Sequence, residues 1–253
     1  MTSGRPARLI LLFSLPLLAG NLFQQFYNMA DTIIVGRMVG VNALAAVGAT
    51  GSINFLILGF VMGVTSGFAV VTAQRFGAGD EAGVRRSVAT SIILSIAVTV
   101  VVTLISVLGT MPLLRLMNTP EDIIDDAYSY IVVIFLGIAA SVLFNLFSCI
   151  LRSLGDSRTP LIFLIIACLL NIGLDFACIL IFKMGVAGAA WATIAAQLIA
   201  GLLCMGYSFK RFPILRLHKE DFKFDWAFAW HHLRIGLPMA FQFSITAVGT
   251  MVL

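Results

Sequence analysis

The sequence has 253 residues, of which 60% are hydrophobic and 11% charged, and a net charge of +4. Soluble domains carry about 25% charged and about 45–50% apolar residues, and a fold of this size cannot hide so large an apolar excess from water. A soluble enzyme and a soluble binding module are excluded, and no arginine stripe with interleaved aromatics points to nucleic acid, so the solvent for most of the chain is lipid.

Residues 1–8 are basic and precede an apolar run, as in a signal peptide. That run has no small-residue cleavage site and continues through Phe23, Phe26 and Tyr27 to Val35, which favours an uncleaved first span. Crossing about 30 Å of hydrocarbon takes about 20 apolar residues. Six stretches meet this in full (9–35, 44–76, 87–108, 127–150, 160–182 and 186–209), and a seventh, 233–253, is cut short. Each is expected to be a helix, because a span must satisfy its own backbone hydrogen bonds. The runs are continuous rather than alternating, which argues against a barrel.

In the first span Pro16 breaks the hydrogen-bond ladder and can act as a hinge. Gln24, Asn28 and Asp31 follow at i, i+4 and i+7, so they share a face that should look into a polar cavity. In the second span Gly59, Gly63 and Gly67 recur every four residues, a flat ridge for close approach of another helix. Thr119-Pro120-Glu121-Asp122 reads as a helix start, with a cap, a proline at the first position and acids in the first turn. Gly155 can close the fourth span and Thr159-Pro160 can open the fifth. The fifth span holds Asn171 and Asp175 one turn apart, and the sixth holds Thr193 and Gln197. Cys149, Cys168, Cys178 and Cys204 lie in or at the ends of apolar runs without metal spacing and read as buried free thiols. Trp226, Trp230, His231 and His232 precede the seventh span, where an interfacial belt is expected.

Lysine and arginine set the orientation. With the N-terminus inside, inner segments hold 13 of the basic residues, Arg5 and Arg8 included, and outer loops hold 3 (Arg37, Arg115 and Lys183). Leu15-Pro16 and Leu237-Pro238 both follow a basic juncture, and six spans plus one suggest that a second six-helix repeat has begun. The expected fold is an all-α membrane protein: a six-helix transmembrane lobe (1–209), a cytoplasmic interlobe loop (210–232) and the first helix of a truncated second lobe (233–253).

Asp31 and Asp175 are carboxylates inside spans, each costing roughly 2.5–3.5 kcal/mol at mid-membrane on insertion scales. Counted from Lys183, Asp175 lies about 12 Å below the outer end, and counted from Arg37, Asp31 lies about 9 Å below it. Thr193 lies about 12 Å down from Gly185 on the same rule. Two carboxylates, the Asn171 amide and a hydroxyl can therefore converge at one depth. Oxygen ligands of this kind suit a hard cation or a proton, so Na+ at Asp31, Asn171, Asp175 and Thr193 and protonation of the acids are both open.

At these residues the sequence resembles the multidrug and toxic compound extrusion (MATE) family of cation-coupled antiporters. The resemblance rests on Asn28-Met-Ala-Asp31-Thr32-Ile-Ile-Val-Gly36, Ala43-Leu44-Ala45-Ala46-Val47-Gly48 and Gln74-Arg-Phe-Gly77-Ala78-Gly79-Asp80. It continues, in order, with Arg152-Ser-Leu-Gly155-Asp156-Ser-Arg158-Thr159-Pro160 and Asn171-Ile-Gly-Leu-Asp175. It implies two six-helix lobes around a cleft in the cytoplasmic membrane. It implies alternating access and export of cationic, often aromatic, compounds against Na+ or H+, with no other cofactor. It places the cation site at Asp31, Asn171, Asp175 and Thr193, the cavity face at Gln24, Asn28 and Gln197, and the bend at Pro16. The chain would then lack the second lobe, its main partner. A flippase for lipid-linked or polysaccharide precursors is the second reading; such proteins place basic groups in their cavities, and no basic residue lies well inside a predicted span. An intramembrane enzyme is the third, and no H-E-x-x-H, G-x-S-x-G or intramembrane histidine supports it.

Overall fold

The computed structural model describes residues 6–252, so the predicted roles of Arg5 and Leu253 fall outside the described residues. Eight α-helices follow in order: α1 (Pro6–Met38), α2 (Val41–Gly77), α3 (Glu81–Leu116), α4 (Ile124–Leu136), α5 (Ile138–Ser153), α6 (Arg158–Phe176), α7 (Gly185–Arg211) and α8 (Trp226–Val252). Among the described residues α2, α3, α6 with its continuation to Ile181, and α7 are long and apolar enough to cross a membrane, and α4 with α5 makes a fifth such unit. Helices α1 and α8 are long as well, at 33 and 27 residues. In α1 the apolar run is diluted by Gln24, Gln25, Asn28 and Asp31.

The observed helices overrun the predicted spans by several residues, because polar turns at the interface continue a helix that an apolar count stops. Three local expectations need correction. The single helix expected over 127–150 is two helices bent by 47° about Gly137. A side chain at Gly137 would collide with Ile194 of α7, so the glycine lets α7 reach the bend. The start expected at Thr119 comes later: Pro120 opens a turn closed by the Ile123 amide donating to Pro120 O at 3.2 Å. The helix begins only at Ile124, with Asp125 and Asp126 in its first turn. The fifth span ends in a π-helical turn, Ala177–Ile181, directly after Asp175.

Other punctuation stands where expected. Gly155 takes φ 91°, a backbone that favours glycine, and closes α5. Asp156 caps α6 by accepting from the amides of Arg158 (3.2 Å) and Thr159 (3.0 Å) and from the Thr159 hydroxyl (2.6 Å). The glycine ridge of α2 is a packing surface for α8: a methyl group on Gly63 would strike the backbone of Ala240, and one on Gly67 the backbone of Gly236.

The segment between α7 and α8 is folded onto α3. Leu215, in the 3-10 turn Pro213–Leu215, is fully buried against Val84 and Val88. Arg85 pairs with Asp221 at 3.8 Å and Arg86 with Asp225 at 2.5 Å. Trp226 and Trp230 are exposed and stacked. His232, expected at a solvated border, is instead fully buried: its Nδ1–H donates to Phe228 O at 2.9 Å, and Ser87 Oγ lies 2.9 Å from Nε2. Its position one helical turn past Phe228 turns it inward onto α3. Of the four free cysteines, Cys149 and Cys204 are buried, whereas Cys168 and Cys178 are only half-buried.

Candidate functional site

Helices α1, α6 and α7 pack together and bring the two intraspan acids face to face. Asp31 of α1 is buried, and Asn171 and Asp175 of α6 are fully buried. The Asp31 and Asp175 carboxyl groups lie close to one another. Asn171 Nδ2 donates to Asp175 Oδ1 at 3.5 Å and to Thr193 Oγ1 of α7 at 3.3 Å. The four residues that depth along the spans singles out are thus one cluster.

Two neighbours are missing from the sequence reading. Tyr27, one turn before Asp31 on the same face, is buried with its hydroxyl beside Thr193. Its spacing to Asp31 is a usable signal. Tyr130 of α4 is buried near both acids, a contact between distant segments that no local pattern announces. The cluster is short of partners: Asp31 Oδ1, Asp175 Oδ2, Asn171 Oδ1 and the Tyr27 hydroxyl have none among the described residues. A buried group left so costs about 1–3 kcal/mol, and four in one place define a spot that favours a proton, water or hard cation. Directly beyond Asp175 comes the π-helical turn, a form of helix often found at functional sites.

A cavity of about 400 Å³ lies between α1, α2, α5, α6 and α7, away from the acids. Pro16, Gln24 and Gln197 line it. Gln197 accepts a hydrogen bond from the Ser141 hydroxyl. Asn28 does not line it: the residue is exposed and is bonded by Gln24 Nε2 at 3.3 Å. Successive helical residues stand about 100° apart, so Tyr27 takes the inward position and turns Asn28 out. Arg152 needs a correction too. It falls just past the predicted 127–150 span, yet it lies in the last turn of α5 and lines the cavity.

Fold and site together define a multi-pass helical membrane protein with a buried acid pair and a separate polar cavity. The chain belongs to the MatE family, whose model matches residues 16–177. It is 31% identical to the probable multidrug resistance protein YpnP of Bacillus subtilis, over 99% of this chain and 56% of that protein. Its structure is similar, at 29% identity and a TM-score of 0.90, to a MOP superfamily transporter from Pyrococcus furiosus whose binding pocket is described as of reverse polarity, over 99% of this chain and 55% of that one. A multidrug resistance MATE family transporter in an outward-facing conformation gives the same TM-score of 0.90 at 29% identity, over 98% and 55% of the two chains. The chain therefore spans about half the length of the relatives it matches.

Proposed function

We propose that this chain supplies the ion-coupling lobe of a secondary transporter that exports small amphipathic compounds against Na+ or H+. The observation that carries the reading is the facing pair Asp31 and Asp175 with orphaned oxygens, held on α1 and α6, two of the helices that line the cavity. Membership of the MatE family and similarity to proteins named for multidrug resistance support export over the flippase reading. Cationic, aromatic cargo is what the resemblance implies. The basic residues clustered around 75–86 and 210–223 support a cytoplasmic placement of that end, with the N-terminus inside and the protein in the cytoplasmic membrane. Helix α8, seated on the glycine ridge of α2, would open the second lobe.

In mechanism, a proton or Na+ entering the acid pair changes the charge between α1 and α6. Asp31 and Asp175 bind the ion, the Asn171 and Thr193 oxygens complete its shell, and Tyr27 closes it off. Pro16 lies on α1 between the acid and its N-terminal end, where the missing amide weakens one turn. Movement there reshapes the cavity, because Gln24 and Gln197 sit within two turns of Asp31 and one turn of Thr193. Ion and cargo would then be bound in alternation. The test is efflux of a fluorescent cargo from liposomes carrying this lobe joined to its second lobe in the full-length transporter, under an imposed Na+ or pH gradient. Gradient-driven efflux is expected, and it should be lost in Asp31→Asn and Asp175→Asn. Efflux unchanged in both variants would sink the coupling site.

A further inference from the structure

On α5 the positions 141, 145, 148 and 152 follow at i, i+4, i+7 and i+11, so Ser141, Asn145, Ser148 and Arg152 form one stripe. All four line the cavity. Across from it Leu17 from α1 and Leu161 and Leu164 from α6 supply apolar lining, with Asn21 and Gln24 of α1 beside them. The stripe is therefore one side of an amphipathic slot, and it ends on a charge.

That charge lines the cavity and has little to bind. A guanidinium carries five N–H donors and keeps its charge at any physiological pH. Arg152 Nη2 donates to Cys149 Sγ at 3.0 Å, a weak acceptor. Among the described residues no carboxylate pairs with it, whereas Arg75, Arg85 and Arg86 each have one. Asp156, the nearest acid in sequence, is taken up by its three bonds to the start of α6. The described lining contains no acid at all. A cationic compound in this slot would meet a like charge and no counter-charge; an anion would meet an unspent fork of donors facing a low-dielectric wall.

We propose that the cavity binds the anionic end of an amphipathic compound, a carboxylate, sulfonate or phosphate, at Arg152. The hydroxyls and amides of α5 flank its polar part, and Leu17, Leu161 and Leu164 hold its apolar body. As a cargo site this rests on the transport reading above; as a binding site it does not. The phosphate could belong to a lipid headgroup or the anion to a free compound, and the chemistry at Arg152 is the same.

The experiment uses the whole chain in detergent and equilibrium dialysis, with protein-free micelles as the blank. The probes are naphthalene sulfonate and naphthyl trimethylammonium, one aromatic body with opposite charges. The sulfonate should bind about tenfold more tightly or better, the scale of a charge-assisted bond. Arg152→Gln should erase the difference, Arg152→Lys should keep its sign, and Arg158→Gln, outside the cavity, should keep it in full. Equal binding of the two probes by the native chain, or preference for the ammonium, overturns the proposal. So does a preference that survives Arg152→Gln. If that variant does not fold, Leu164→Trp fills the slot from the other wall, and a preference that survives it has the same consequence. Displacement of the sulfonate by phosphatidylglycerol but not phosphatidylcholine assigns the site to a lipid headgroup; no displacement by either assigns it to a free anion, and both keep the anion site. Loss of gradient-driven efflux would leave this binding result standing, and failure here would leave ion coupling standing.

Discussion

The acids at the two ends of this helical bundle are treated in opposite ways. At the end formed by the turns after α2, α5 and α7, each of four aspartates is matched. Asp80 accepts from the Gly83 amide at 2.8 Å and pairs with Arg75; Asp156 caps α6; Asp221 meets Arg85; Asp225 meets Arg86 and the amides of Ala227 and Phe228. Toward the other end Asp31 and Asp175 are buried without a basic partner, and each keeps an orphaned oxygen. A carboxylate that closes a helix or a salt bridge has its binding capacity used up within the fold. One buried beside another acid has capacity left for something that comes and goes. The same contrast separates Arg75, Arg85 and Arg86 from Arg152.

The sharpest way to break this comparison is to neutralise one acid at each end. Asp175→Asn or Asp31→Asn should lower gradient-driven efflux about a hundredfold, the upper range of a coupling free energy between sites. Thermal melting of the same variants in detergent should not fall, because a buried, unpaired charge is removed rather than a bond. Asp80→Ala should do the reverse, with efflux retained and melting lowered through loss of the α3 cap. Efflux that falls equally at both ends would erase the distinction.

Much of this is legible in the sequence, and the limits follow from what a helix pattern contains. Depth along a helix is a count at 1.5 Å per residue, so counting alone sets Asp31, Asn171, Asp175 and Thr193 at one level. Rotation about the axis takes more than counting: Gln24, Asn28 and Asp31 share a face to within a residue, and Tyr27 decides which edge of it turns inward. Interruptions are less visible still. Gly137 is an ordinary glycine in an apolar run until Ile194, far along the chain, needs its space. The π-helical turn after Asp175 has no composition of its own. Arg152 escapes a sequence reading because a basic residue beside a turn normally belongs to the loop, and only the packing of α1 and α6 over α5 makes it part of a wall.

A smaller effect tests whether the ends are independent of α8. Gly63→Ala forces a methyl group against the Ala240 backbone and should destabilise by about 1–3 kcal/mol, the usual cost of overpacking, read as a lower melting temperature in detergent. The change that Asp31→Asn makes should be the same with or without Gly63→Ala, since α8 touches neither acid and distant sites add. Smaller again is Ser87→Ala, which strips partners from His232 Nε2 and the Thr72 hydroxyl. About 1 kcal/mol should be lost, with the signal in the exposed Trp226 and Trp230 rather than in efflux.

The smallest effect belongs to Asp225, and its size is the point. The Phe228 amide, followed by the Arg86 guanidinium, holds its carboxyl below the usual aspartate range. A carboxyl lowered by folding contributes stability above its unfolded value and loses it as pH falls through its folded value. The start of α8 should therefore loosen only under acid conditions, below the range in which free aspartates titrate, and tryptophan fluorescence from Trp226 and Trp230 should follow it. Asp225→Asn should remove that acid step and leave the melting temperature at neutral pH almost unchanged, because both members of the Arg86 pair are 43% exposed and water screens them. A large loss at neutral pH would mean that this end also holds charge under strain, and the buried pair could no longer be set apart by its lack of partners.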